Sequence, residues 1–186
     1  MTSSPDRLIP YQPLDLQDPA DLVSAIRQRR GGELINLDRM LLHSAPFARG
    51  WNSFLGEVRS NLALPYLLRE LAMCGVAVLN HADYEFLHHS PLFVQAGGSQ
   101  EQVQALKTIG HLDQHPLPKG LFSSLEEDVI YLTIQMTRTI QVERSLMKRL
   151  LDQLGNTQLV ELVGVIATYN MVSRFLVALE VTPDHS

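Results

Sequence analysis

Residues 65–89 read PYLLRELAMCGVAVLNHADYEFLHH, and this stretch decides the fold. Leu67, Leu68, Leu71, Ala72, Gly75, Val76 and Leu79 recur at three- and four-residue steps, the spacing of one helix face. Pro65 suits a helix start, where its missing N–H leaves no bond unmade. Only Asn80 and His81 remain for a turn before a second helix begins near Ala82 and runs toward Gly97-Gly98. Two helices joined by so short a link return antiparallel. The stretch therefore predicts a helical hairpin.

The same period extends outward on both sides. Asp18 followed by Pro19 reads as an N-cap with proline at the first helical position, opening a helix to about Arg30, where Gly31-Gly32 stops it. Leu37, Met40 and Leu41 continue the pattern, and Phe47, Trp51, Phe54 and Val58 mark the next amphipathic face. Ser99 with Gln102 makes a capping box, opening a short helix to about Ile109. Either Ser123 with Glu126 or Ser124 with Glu127 makes another, opening a helix from Leu125 to about Val142. Residues 110–120, with two prolines and bounding glycines, read as a loop. Two last helices are predicted over roughly Glu143–Leu154 and Thr157–Leu179, separated by Gly155-Asn156. No strand alternation competes. The expected fold is an all-α antiparallel bundle, with residues 1–17 as an N-terminal arm and 18–186 as a single helical domain.

Composition narrows the functional classes. Apolar residues make up 45% of the 186, ordinary for a globular chain with a core. A net charge of −5 carries no basic footprint, so neither nucleic acid nor an anionic membrane is an expected partner. Glu161, Asn170, Ser173, Arg174 and Glu180 interrupt the most apolar stretch, which makes it a poor membrane span. One cysteine, Cys74, excludes an intrachain disulfide framework and fits a reducing compartment. With no signal-peptide pattern at the start, the cytoplasm is the expected location.

The hairpin also carries the ionisable groups. Glu85 and His89 are four apart on one helix face, while His88 points some 100° away. At ~1.5 Å rise per residue, Glu70 lies ~16 Å before the turn and His89 ~12 Å after it, so the two stand at similar height. A Glu–His–Glu cluster suits general acid/base chemistry, because histidine titrates near neutrality and a carboxylate in an apolar pocket can be raised toward it. The same spacing also fits ordinary surface or interface pairs. A metal reading rests on Glu85-x-x-His88, which occurs once where di-iron bundles need two copies, and on His111 with His115 in the loop. No cofactor is expected. Cys74, among Ala72, Met73, Gly75 and Val76, reads as a core filler. Arg174 is a charge in the most apolar helix, placed to bind a substrate carboxylate or to pair internally; Tyr169 and Asn170 offer hydrogen bonds nearby.

In order along the chain, Arg69-Glu70-Leu71, Tyr84-Glu85-Phe86, His89, Gly97-Gly98-Ser99 and Tyr169-Asn170-Met171…Arg174-Phe175 resemble the carboxymuconolactone decarboxylase family, which includes the alkylhydroperoxidase D-like proteins. The resemblance runs from about Leu37 to Pro183. It implies an all-α homo-trimer or homo-hexamer acting on a small molecule. It also implies that Glu70 and His89 stand for the glutamate and histidine of the peroxidase branch's proton relay, with Tyr84 in the slot of a further histidine. Ala82 and Glu85 stand where that branch has its Cys-x-x-Cys pair, and neither supplies a thiolate. The chain is thus similar to the decarboxylase branch in its chemistry. This implies a cofactor-independent lyase or isomerase acting on a small organic acid or lactone. Glu70, Glu85 and His89 would be catalytic, and Tyr84 and Arg174 substrate-binding. Peroxiredoxin-like antioxidant activity and a non-catalytic oligomeric binding protein are the alternatives.

Overall fold

A computed structural model describes residues 7–184, and among them every regular element is helical. The chain gathers into two compact units, Met1–Asn61 with Ala178–Ser186, and Leu62–Val177. The single domain expected over 18–186 comprises parts of both.

The first unit holds α1 (Ala20–Arg30), α2 (Asn36–Leu41) and α3 (Ala45–Ser60). Gly31 ends α1 in the left-handed region at φ 85°, a conformation that costs a residue with a Cβ more than glycine. Leu22, Val23 and Ile26 are the residues of α1 that enter the core. Asp38 is buried and takes the guanidinium of Arg30 at 2.9 Å and that of Arg29 at 3.4 Å. In α3 the core takes Ala48, Trp51, Leu55 and Val58, whereas Phe47 and Phe54 stay about half exposed. The buried stripe is therefore rotated by roughly 50° from the predicted one, at 100° per residue. Of the expected arm, residues 1–6 lie outside the described residues. The remainder lies against its own unit: Arg27 donates to the carbonyls of Leu14 and Leu16, Arg39 to that of Gln12, and His43 Nε2 bonds that of Pro10.

The second unit holds α4 (Tyr66–Leu79), α5 (Asp83–Gln95), α6 (Gln100–Leu106), a 3-10 turn (Ile109–His111), α7 (Ser124–Arg138) and most of α8 (Arg144–Ala178). Helix α4 is buried on every side from Leu68 to Ala77, which makes it the core helix of the unit, packed against α5 and α7. Gly75 lets α7 come close: a Cβ there would stand 3.1 Å from the Thr133 methyl. The α4–α5 turn is as tight as predicted, with His81 at φ 55° and Ala82 N–H bonded to the Ala77 carbonyl at 2.8 Å.

Both capping boxes form, and of the two alternatives before α7 it is Ser123 with Glu126. Helix α7 stops at Arg138, short of the predicted Val142. There Thr139 donates its hydroxyl to the carbonyls of Gln135 and Gln141, and Ile140 turns to φ 66°. Side-chain bonds of this kind compete with helix continuation. Helix α8 is broken at Gly155 (φ 69°, ψ 177°), a conformation essentially reserved for glycine, so the two predicted helices are its two halves. By length and composition α8 is long and apolar enough to cross a membrane, yet half of its most apolar stretch is buried. Its polar interruptions are docking points: Glu161 accepts the Leu64 N–H at 2.7 Å, and Asn170 bonds both Asn80 and Thr137 at 3.0 Å.

Candidate active site

Three helices of the second unit bring the ionisable groups together. Helix α4 contributes Glu70, α5 contributes Glu85 and His89, and α8 contributes Tyr169 and Ser173. His89 Nδ1 donates to Glu70 Oε2 at 2.7 Å, and both residues are buried, at 9% and 3% exposure. The predicted equal height of the two residues across the turn is what allows the bond. The His89 ring meets the Tyr169 ring edge-on, with centroids 4.9 Å apart. Glu85, 2% exposed, accepts a hydrogen bond from the Ser173 hydroxyl. Each carboxylate thus has a polar partner on another helix, as burial of such a group demands.

Helix α4 adds two groups on the Glu70 face, one turn away on either side. Tyr66 is 40% exposed and four residues before Glu70; burial first, then the Glu70 carboxylate, push its phenol up. Tyr66 and Glu70 are thus electrostatically coupled, and Glu70 in turn holds the buried imidazole. Cys74 is fully buried. Burial first, then the charges of Glu70 and Glu85, push its thiol well above the ordinary value of 9.0.

This shift has a pH consequence. The unfolded thiol ionises near pH 9 while the folded one keeps its proton, so ionisation favours the unfolded chain. The stabilising effect is complete below that pH and is lost progressively as pH rises from there toward the raised value of the folded thiol. From pH 7 to pH 10, the native protein should lose more of its denaturant midpoint than Cys74→Ala loses. Equal losses would show that Cys74 does not titrate this way.

The other expected residues lie apart from this set. Tyr84 is buried but stacks on His88, ring centroids 4.4 Å apart, and its carbonyl is bonded to His88 Nδ1. Arg174 is exposed and donates to the Asn170 carbonyl and side chain at 2.7 and 2.6 Å, next to Ser173 in sequence but on another face of α8. His81, His88, His111 and His115 are exposed. Among the described residues no group of three or more His, Cys, Asp or Glu is arranged to hold a metal ion. Sequence reasoning missed Ser173 and Tyr66 as members of the cluster. The available signals were a serine within the most apolar helix and a tyrosine four residues before Glu70.

The comparisons with known proteins bear on this hairpin. Residues 45–112 match the model of the carboxymuconolactone decarboxylase family. Over those residues the chain is similar to that family, in agreement with the resemblance read from the sequence. The match runs from α3 to the 3-10 turn and so contains Glu70, Glu85 and His89, while Tyr169 and Ser173 fall beyond it. No curated protein matches the chain. Among solved structures, an uncharacterized peroxidase-related protein from Silicibacter sp. TM1040 is similar at a TM-score of 0.75 and 15% identity, over 99% of this chain and 95% of that one. At that identity the likeness speaks for the fold, which is the all-α alkylhydroperoxidase D-like type.

Proposed function

We propose that this protein is a carboxymuconolactone decarboxylase-like, cofactor-independent acid/base enzyme acting on a small organic acid or lactone. The observation that carries the reading is the buried bond between His89 Nδ1 and Glu70. With Nδ1 donating to a carboxylate, the proton-accepting atom of a neutral imidazole is Nε2. In this reading Nε2 takes a proton from the carbon next to a carbonyl, and the electron pair left behind is held as an enolate. Reprotonation at a remote carbon completes an isomerisation. In the decarboxylase version, loss of CO2 generates the same enolate and a proton is delivered to carbon. Glu85, bonded to Ser173, is the second carboxyl available for that delivery. The homo-trimer or homo-hexamer implied by the family resemblance belongs to the same proposal.

The experiment is deuterium exchange in D2O, followed by proton NMR, across a panel of unsaturated lactones and small keto acids. Enzyme-dependent exchange at the carbon next to the carbonyl, or CO2 release, is the expected result. Absence of both across the panel would overturn the reading. The similarity to a peroxidase-related protein favours hydroperoxide reduction as a second reading. Its difficulty is the thiol: Cys74 is sealed from solvent and held protonated, where peroxide chemistry needs an exposed thiolate. Thiol-dependent peroxide consumption that disappears in Cys74→Ser would favour it.

A further inference from the structure

A second set of groups lies on a different face of α5 from Glu85 and His89. Asp83 and Phe86, three residues apart, line a cleft of about 340 Å³ beside the α4–α5 turn. The last turn of α4 supplies an apolar wall, and Lys107, His111 and Arg138 bring three further elements to the rim. The volume falls at the lower end of small-molecule sites, which run from roughly 300 to 1,000 Å³.

Charge and shape then select the ligand. Two fixed cations, Lys107 and Arg138, face one fixed anion, Asp83, in a chain whose net charge is −5. His81 and His111 add ring N–H donors. A local excess of positive charge on an acidic protein concentrates anions there. Arg138 is already oriented, because its Nη2 donates to the Gly110 carbonyl. Glycine at 110 is what allows that approach: a Cβ there would stand 3.1 Å from the same nitrogen. Lys107 Nζ lies 6.0 Å from the Phe86 ring centroid and bonds Gln104 Oε1 at 2.9 Å. Lys107 therefore borders an aromatic ring, and aliphatic side chains of α4 line the same cleft. A planar guanidinium fork matches a carboxylate, and the ring and aliphatic wall match a flat apolar body.

We propose that this cleft binds a small monocarboxylate with a ring-sized apolar body, its carboxylate on Arg138 and Lys107 and its ring against Phe86. The inference goes beyond the acid/base reading and does not depend on it, because neither Glu70 nor His89 lines the cleft.

Isothermal titration of the full chain with benzoate tests it. Wild type should bind saturably, and neutral benzamide should bind about tenfold or more weakly, the loss expected when charge-assisted hydrogen bonds are removed. Arg138→Gln with Lys107→Gln should weaken benzoate by a similar factor. Gly110→Ala displaces only the end of a flexible side chain, so it should weaken binding with the unfolding midpoint unchanged. His89→Ala should bind benzoate as wild type does, which separates failure of this cleft from failure of the proton relay. Absence of saturable benzoate binding, undiminished binding in the double variant, or tighter binding of inorganic phosphate than of benzoate would each overturn the proposal.

Discussion

Replacing His89 with alanine should lower kcat in the exchange assay by about 10²- to 10⁴-fold, the usual contribution of a positioned general acid or base. The size follows from where the ring sits. His89 is nearly sealed from bulk solvent and bonded to Glu70, so water cannot readily substitute for Nε2 as proton acceptor. The ring is also held in one orientation between that carboxylate and Tyr169. A structural role predicts something different. If the bond to Glu70 only joined α4 to α5, then His89→Ala and Glu70→Ala would both lower stability while leaving the rate per folded molecule alone. Glu70→Ala strands a buried Nδ1–H, at a cost of about 1–3 kcal/mol. Measuring kcat beside the denaturant midpoint for both variants separates the two. Undiminished kcat in folded His89→Ala removes the catalytic assignment.

The hairpin was legible in sequence because three independent signals agreed on it. The apolar positions from Leu67 to Leu79 keep helical step, Pro65 opens the first helix, and the residues between the helices are too few for anything but a reversal. That reversal in turn sets Glu70 and His89 at similar height, although the same spacing also fits surface or interface pairs. Gly155 was legible for a similar reason, since glycine beside asparagine breaks an otherwise continuous pattern. What escaped depends on tertiary contacts. The rotation of α3 is set by which flank the core accepts, and aromatic residues on both sides of the stripe look alike in sequence. The early end of α7 depends on hydroxyl bonds from Thr139 that compete with helix continuation. Ser173 reaching Glu85 is a pairing across 88 positions, and nothing local to either residue announces it.

The largest stability effect is expected one turn beyond His89. Phe93 is fully buried on α5, and Phe93→Ala should cost about 3–5 kcal/mol, as truncation of core aromatic residues generally does. The cavity opens on the same helix face as His89, so a shift of α5 toward it would also loosen the His89–Glu70 bond. Small displacements of that kind lower rate as well as stability. Gly98 offers the complementary change. A Cβ at 98 would lie 2.4 Å from the Phe93 ring, and that ring, packed on all sides, cannot swing away. Gly98→Ala should therefore cost about 1–3 kcal/mol through overpacking. The decisive measurement is the double variant. With the ring gone, the methyl at 98 enters space that Phe93 had filled, so the two losses should sum to clearly more than the loss in the double variant. Additive losses in denaturant titrations would mean that Gly98 matters for its backbone and not for the ring above it. A double-variant loss well below that sum would instead identify Phe93 against Gly98 as the contact that fixes the far end of α5, and with it the position of His89.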